Sequence, residues 1–402
     1  MESLLSDVTV LDLTQAVAGP YCAKLLADYG AEVIKIERPG TGDVARRIGP
    51  FPNDVPHSEK SGVFLALNTN KKSVTVNLKT ETGRRILRDL VPQVDILLES
   101  YRPGVMAKWG FGFDDVRRIK PDIVVTSISS FGQWGPYRDY EMTELIAYAM
   151  GVGMHCTGVP DREPLKLAGT ATLFQAGNTA AVAAIGAYFG SQADGVGQHV
   201  DYSIMEGQAS SVDRNGASLM AMAYAGEPTF RRAFGRRFSV LPFGAYPCAD
   251  GYAHFTSAQQ AWWPIFCSMI GMPELSEDPR YTGENFQNLD LAEEIDELFL
   301  PWILSHAKRE IMELCNEIAG SPINTMEDLF ADPHFRQREF FVEVDHPAAG
   351  PMEYPGPPFR PAATPWKKGR APLLGEHNEE VLTGRLGFAR TDLVKLARMG
   401  VI

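Results

Sequence analysis

The chain has 402 residues, 45% of them hydrophobic and 22% charged, and a formal net charge of −12. That balance is ordinary for a globular protein, and the length suits two or three domains. The acidity argues against a nucleic-acid partner, so any anionic ligand has to be met by local basic residues.

The first third alternates strand-like and helix-like segments. A β-branched run at 8–14 predicts a strand, and 19–30 a helix with Pro20 in its first turn and Gly30 just past its end, the usual asymmetry of helix boundaries. Further strands are expected at 31–37, 73–78, 94–100 and 122–130, with helices at 80–90 and 104–109 between them. Such alternation predicts a parallel, doubly wound sheet that binds ligands at the carboxyl ends of its strands. After residue 140 helices take over, at 143–154, 171–190 and 203–224. The stretch from Ala171 to Phe189 is the most apolar but contains Gln and Asn, so it reads as a packed core helix and not a membrane span. A basic turn carrying Arg231, Arg232, Arg236 and Arg237 leads to a hairpin at 243–256, with Asp-Gly at its tight turn. Helices are expected at 258–271 and 291–318, and the last 65 residues return to strands and a proline-rich run at 354–368.

Five scattered cysteines, Cys22, Cys156, Cys248, Cys267 and Cys315, form no CxxC pair, which disfavours a disulfide frame or metal site. The opening MESLLSDVTV has neither a basic region nor a long apolar run, which argues against a signal peptide and for the cytoplasm. No GxGxxG follows the first strand, and no GxxxxGK[ST], HExxH or GxSxG occurs, so the corresponding chemistries lack their signatures. Basic residues do collect at expected strand ends: Arg38, Lys71, Lys72, Lys79, Arg102 and Lys108. Converging there, they suit a ligand with several phosphates.

Seven segments carry a resemblance. They are VLDLTQAVAGPYCAKLLADYGAEVIKIERPGTGD (10–43), LNTNKKSVTVNLKTETGRRIL (67–87), DILLESYRPGVMAKWGFGFDDV (95–116), SISSFGQWGPY (127–137), GVGQHVDYSIMEG (195–207), PFGAYPCADGYAHF (242–255) and PLLGEHNEEVL (372–382). In order and over nearly the whole chain, they resemble the class III CoA-transferases. The resemblance implies an α/β fold with a Rossmann-like large domain and a small α+β domain, in an interlocked dimer. The domain boundaries expected are 1–225, 226–330 and 331–402, the last returning to the large domain. It implies coenzyme A as a substrate, with no tightly bound cofactor and no metal. By position, the CoA-contacting residues of formyl-CoA transferase fall on Val17, Ala18, Arg38, Val76, Asn77, Leu78, Lys79, Ser100, Tyr101, Arg102 and Lys108.

The departures from the family concern catalysis. Family transferases attack the acyl-CoA carbonyl with an Asp, forming a mixed anhydride and then an enzyme thioester, and that nucleophile is indispensable. Aligned on Glu144, the Asp position falls on Leu173, flanked by Thr172 and followed by Gln175, and residues 164–193 contain no Asp or Glu. A family Gln that assists the anhydride step falls on Val17, and the His of the related α-methylacyl-CoA racemase on Thr143. Three functions stay open. The chain is a non-catalytic subunit moving CoA between an acyl-CoA such as succinyl-CoA and a carboxylic acid, together with a catalytic homologue, as in succinyl-CoA:benzylsuccinate transferases. Otherwise it is a stand-alone transferase or isomerase, as a homodimer, using Glu144 or, behind it, Glu141. The third option is an acyl-CoA-binding protein without turnover, in which the arginine turn at 231–237 reaches an acidic ligand through bidentate contacts.

Overall fold

The computed structural model describes residues 3–158, 162–211, 213–226, 239–256, 259–315, 317–318 and 320–402. The chain divides into two compact units, one of Met1–Thr157, Leu165–Pro228 and Arg338–Ile402, the other of Gly158–Pro164 and Thr229–Gln337.

The first unit is built on six parallel strands: β1 (Thr9–Leu13), β2 (Glu32–Glu37), β3 (Lys72–Thr75), β4 (Ile96–Glu99), β5 (Val124–Ser129) and β6 (His199–Ser203). Their order is β3-β2-β1-β4-β5-β6. The helices among them are α1 (Ala18–Asp28), α2 (Gly62–Leu67), α3 (Glu81–Leu90), α4 (Val105–Lys108), α5 (Phe113–Ile119), α6 (Glu144–Met150), α7 (Gly153–Cys156) and α8 (Ala171–Asp194). After β6 come α9 (Ile204–Ser211) and α10 (Asp213–Ala225), which lie in the stretch where the sequence predicts a helix at 203–224. The central strands are apolar on both faces, as a parallel sheet covered on both sides requires. Leu11, Ile34, Leu97 and Val125 pack with Ile86, Leu87 and Leu90 of α3 on one face. Val10, Val33, Leu98 and Val124 pack with Cys22 and Leu26 of α1 and Ala176, Ala180 and Ala184 of α8 on the other. Gly177 lets α8 approach α1, since a Cβ there would lie 2.6 Å from the Ala18 carbonyl oxygen. The strand order reverses between β1 and β4, where a doubly wound sheet opens a crevice at its carboxyl end.

In the second unit β7 (Phe243–Cys248) and β8 (Gly251–Thr256) form the expected hairpin, with β9 (Gly320–Pro322) beside β8. Its turn residues are Ala249 and Asp250, and Gly251 opens the returning strand. Around it stand α11 (Trp263–Met269), α12 (Ala292–Leu304), α13 (Lys308–Leu314), α14 (Met326–Ala331) and α15 (Pro333–Gln337). Its core is aromatic, with Phe255, Trp263, Phe266, Tyr281 and Phe299 fully buried.

The chain then returns to the first unit through the pair β10 (Phe341–Val344) and β11 (Met352–Pro355). The last residues differ from the expected strands: they are two helices, α16 (Asn378–Leu386) and α17 (Arg390–Arg398). Each is nine residues long, too short for its apolar period to stand out, yet Val381, Leu382 and Leu396 complete one face of the main sheet. No described helix is long and apolar enough to cross a membrane.

A buried charge network ties the sheet to the loops at its carboxyl end. The Lys35 ammonium, on β2, lies 2.7 Å from Asp43 Oδ2 and 3.7 Å from Asp12 Oδ2, and donates to the Thr14 carbonyl at 2.9 Å. Lys71 donates to Asp12 Oδ2 at 3.0 Å, the Pro20 carbonyl at 2.8 Å and Asn68 Oδ1 at 2.9 Å. Arg46 forks onto Glu37 with two bonds of 2.8 Å and reaches Glu59 at 2.7 Å. Burial alone would raise the Asp12 pKa; Lys35, Lys71 and the Thr14 hydrogen bonds outweigh it and hold that pKa below the usual carboxylate range.

This network corrects two of the expected phosphate-facing cations. Lys71 is buried and spent on Asp12, and Lys72 pairs with Glu32 and Glu380. Both precede or begin β3, so they lie at the end of the strand opposite the crevice. Replacing Lys35 by Met is expected to leave Asp43 without its cation in the interior, Asp12 keeping Lys71, and to cost about 3–5 kcal/mol, read from the urea midpoint with an unchanged slope.

Candidate functional site

The turn from β1 into α1 forms the floor of the crevice. Ala16 takes a left-handed conformation (φ 67°), costly for a residue with a Cβ; its N–H donates to Asp43 Oδ1 at 3.0 Å, so the charge network holds the strained turn. Gly19 must be glycine, because a Cβ would lie 2.3 Å from that of Thr14. No side chain caps the N-terminus of α1 at Val17. Such an end leaves backbone N–H groups and the positive end of the helix dipole facing whatever fills the crevice.

Two adjoining cavities sit on this floor and share Gln15, Tyr101 and Val105. The first encloses about 270 Å³ and is lined by Arg38, Val76, Asn77, Leu78, Lys79, Tyr101 and Trp109, among others. The Tyr101 and Trp109 rings meet edge to face at 5.2 Å and make one wall aromatic. Asn77 is held by main chain, its N–H on the Val401 carbonyl at 2.7 Å and its Nδ2 on the Gly400 carbonyl at 3.1 Å. Arg38 and Lys79 are exposed, and no ion pair engages either among the described residues. Glu37 and Asp43, also on the wall, are already neutralised by Arg46 and Lys35.

The second cavity, of about 410 Å³, is lined by Val17, Ala18, Ser100, Arg102, Lys108, Thr143, Glu144 and Leu173, among others. Ser100 Oγ accepts from the Gln15 N–H at 3.1 Å and joins the β4 and β1 turns. Arg102 forms a close ion pair with Glu141, both strongly exposed. Glu141 does not line the cavity; Glu144 does, and its Oε2 lies 2.7 Å from the Lys166 ammonium. Lys166 is fixed in turn by the carbonyls of Leu167 at 2.7 Å and Gly169 at 2.6 Å. Thr143 caps α6 through its hydroxyl, which accepts from the Ile146 N–H at 3.4 Å. Leu173, half-buried in the first turn of α8, packs against the core. Thr172 is buried beside it, and Gln175 is half-buried. The only carboxylates on this cavity's described wall are Asp139 and Glu144.

All eleven residues expected to contact the ligand therefore line one cavity or the other. Arg231, Arg232, Arg236 and Arg237 lie outside the described residues. Sequence reasoning missed Gln15, Trp109 and Lys166. Trp109 follows Lys108 and could have been found as an aromatic beside a cation; Lys166 gave no signal, because its partner is 22 residues away in sequence.

Below the turn that divides the cavities lies Glu99, only 4% exposed. Its Oε2 accepts the Tyr101 N–H at 2.8 Å, and Ser127, whose hydroxyl is 3.0 Å from His199 Nε2, also bonds it. Burial raises the Glu99 pKa and nearby Asp201 adds to this, against the hydrogen bonds from Ser127 and Tyr101. A carboxyl group with a raised folded-state pKa binds its proton more tightly folded than unfolded. Stability therefore falls as pH rises from about 4, the unfolded value, through the folded one. Glu99→Gln is expected to flatten this slope in urea midpoints measured between pH 4 and 8; an unchanged slope would show that other groups cause it.

The comparisons with known proteins agree with this architecture. The family model described as CoA-transferase family III matches residues 5–378. The chain is 34% identical to a succinyl-CoA–D-citramalate CoA-transferase of Chloroflexus aurantiacus, over 99% of this chain and 98% of that one. It is 31% identical to a mouse (Mus musculus) succinyl-CoA:glutarate CoA-transferase, over 99% and 90%. Among solved structures, a CAIB/BAIF family protein from Brucella suis superposes with a TM-score of 0.84 at 26% identity, covering 96% of this chain and all (100%) of the other. On that end-to-end agreement, the chain belongs to CoA-transferase family III.

Proposed function

We propose that this chain is a CoA-transferase subunit that holds an acyl-CoA across the two cavities and leaves the covalent step to a homologous subunit. The observation that carries this is Leu173, an aliphatic side chain on the wall of the second cavity where the family pattern places its nucleophile. A saturated hydrocarbon has no lone pair to open a thioester, and covalent catalysis needs one. The first cavity suits the nucleotide end, with the uncommitted Arg38 and Lys79 for phosphates and the Tyr101–Trp109 wall for a base. The second suits the pantetheine arm and acyl group.

Relatives named for succinyl-CoA favour that donor for the complex, with a carboxylic acid as acceptor. A partner is further supported by the outward stripe of α8, where Phe174, Val182 and Phe189 are 39%, 74% and 78% exposed. Apolar side chains repeating on one helix face call for cover. A stand-alone enzyme using Glu144 has that carboxylate on the cavity wall in its favour. Against it stands Lys166, whose ion pair ties up one oxygen and lowers the nucleophilicity of the other. A binding protein without turnover shares the cavities and differs only in having no catalytic partner.

The test is expression with and without a family homologue that carries the Asp. The pair is expected to co-purify and exchange CoA between two acids, while this chain alone does not; full activity of the lone chain would remove the proposal. In calorimetric titrations, Arg38→Ala and Lys79→Ala are each expected to weaken CoA binding about three- to tenfold and to reduce its salt dependence.

A further inference from the structure

We infer that the second cavity of this chain is shaped for a neutral, apolar acyl group and disfavours one ending in a carboxylate. This rests on the proposal that the cavity receives an acyl-CoA, and it names the class of thioester. The wall around Leu173 is apolar: Val17, Ile128 and Ile204 are 7%, 2% and 8% exposed, and Met142 and Leu173 are half-buried beside them.

Most charged groups on that wall already have ion-pair partners, on the wall or just behind it. Glu144 is held by Lys166 at 2.7 Å and Arg102 by Glu141, and Arg138 lies 3.5 Å from Asp139 with its Nε making no hydrogen bond among the described residues. That leaves Lys108, which no described residue pairs and which is exposed on the last residue of α4. An exposed lysine in water gives a carboxylate little, whereas stripping a carboxylate of water against aliphatic side chains is costly. The second carboxylate of a dicarboxylic acyl group would meet the apolar wall or compete with Glu141 and Asp139 for their arginines. A methyl terminus meets neither obstacle.

Butyryl and succinyl thioesters test this, because they have equal carbon number and differ at the terminus, methyl against carboxylate. Calorimetry on the full chain with free CoA, butyryl-CoA and succinyl-CoA is expected to show butyryl-CoA about tenfold tighter than CoA, the scale of a methylene or two in an apolar pocket. Succinyl-CoA is expected to bind no tighter than CoA. Leu173→Asp, checked for folding by circular dichroism, should abolish the advantage of butyryl-CoA over free CoA; if that variant does not fold, the wild-type order alone decides. Succinyl-CoA binding as tightly as butyryl-CoA overturns the inference, and loss of its binding in Arg138→Gln would identify the arginine that defeats it. Absence of any CoA binding would instead remove the underlying proposal, and the inference with it.

Discussion

Everything at the carboxyl end of the main sheet depends on charges buried beneath it. Asp12 and Lys35 sit on adjacent strands, fully buried, and with Asp43 and Lys71 they fix the turn from β1 into α1. A buried ion pair is poor evidence for stability, since well-packed apolar residues often do as well. Its use here is positional. The Lys35 ammonium holds the Thr14 carbonyl, and Asp43 accepts the N–H of Ala16 in a conformation that a residue with a Cβ adopts reluctantly. The cavity floor is strained backbone held in place by electrostatics, and the uncapped end of α1 faces the cavity as a result.

That arrangement separates the polar groups by role. Glu37, Asp43, Arg46 and Lys35 line or underlie the first cavity, but their charges are satisfied by one another. Arg38 and Lys79, on the wall of the same cavity, carry no ion pair among the described residues. In the second cavity Glu144, Arg102 and Arg138 again have ion-pair partners, while Leu173 presents an aliphatic side chain to the wall. On the function we propose, a scaffold that keeps a binding crevice in order without the reactive group is what a subunit of a two-part enzyme would retain, since binding and covalent chemistry draw on different residues of one site.

Much of this was legible in the sequence. Strands with β-branched runs, such as 31–37 and 122–130, and helices with clear boundaries, such as α1, appear close to their expected places because local propensity and burial agree there. The short helices α16 and α17 were not legible, since their apolar residues make sense only against β3 and α3. Among candidate site residues, those following strand ends were named from pattern and resemblance together, and they line the two cavities. Lys71 was misjudged because charge in a sequence does not reveal burial: only the fold shows Asp12, 59 residues away, beneath it. The Lys166–Glu144 pair was hidden for the same reason.

The central claim is that the acyl group is never covalently attached to this polypeptide. It is tested most directly by quenching turnover of the co-purified pair with hydroxylamine, or trapping it with borohydride, and mapping the modified carboxyl group by mass spectrometry. The account predicts modification of an Asp on the homologous subunit and none on this chain. Modification of Glu144 would contradict it.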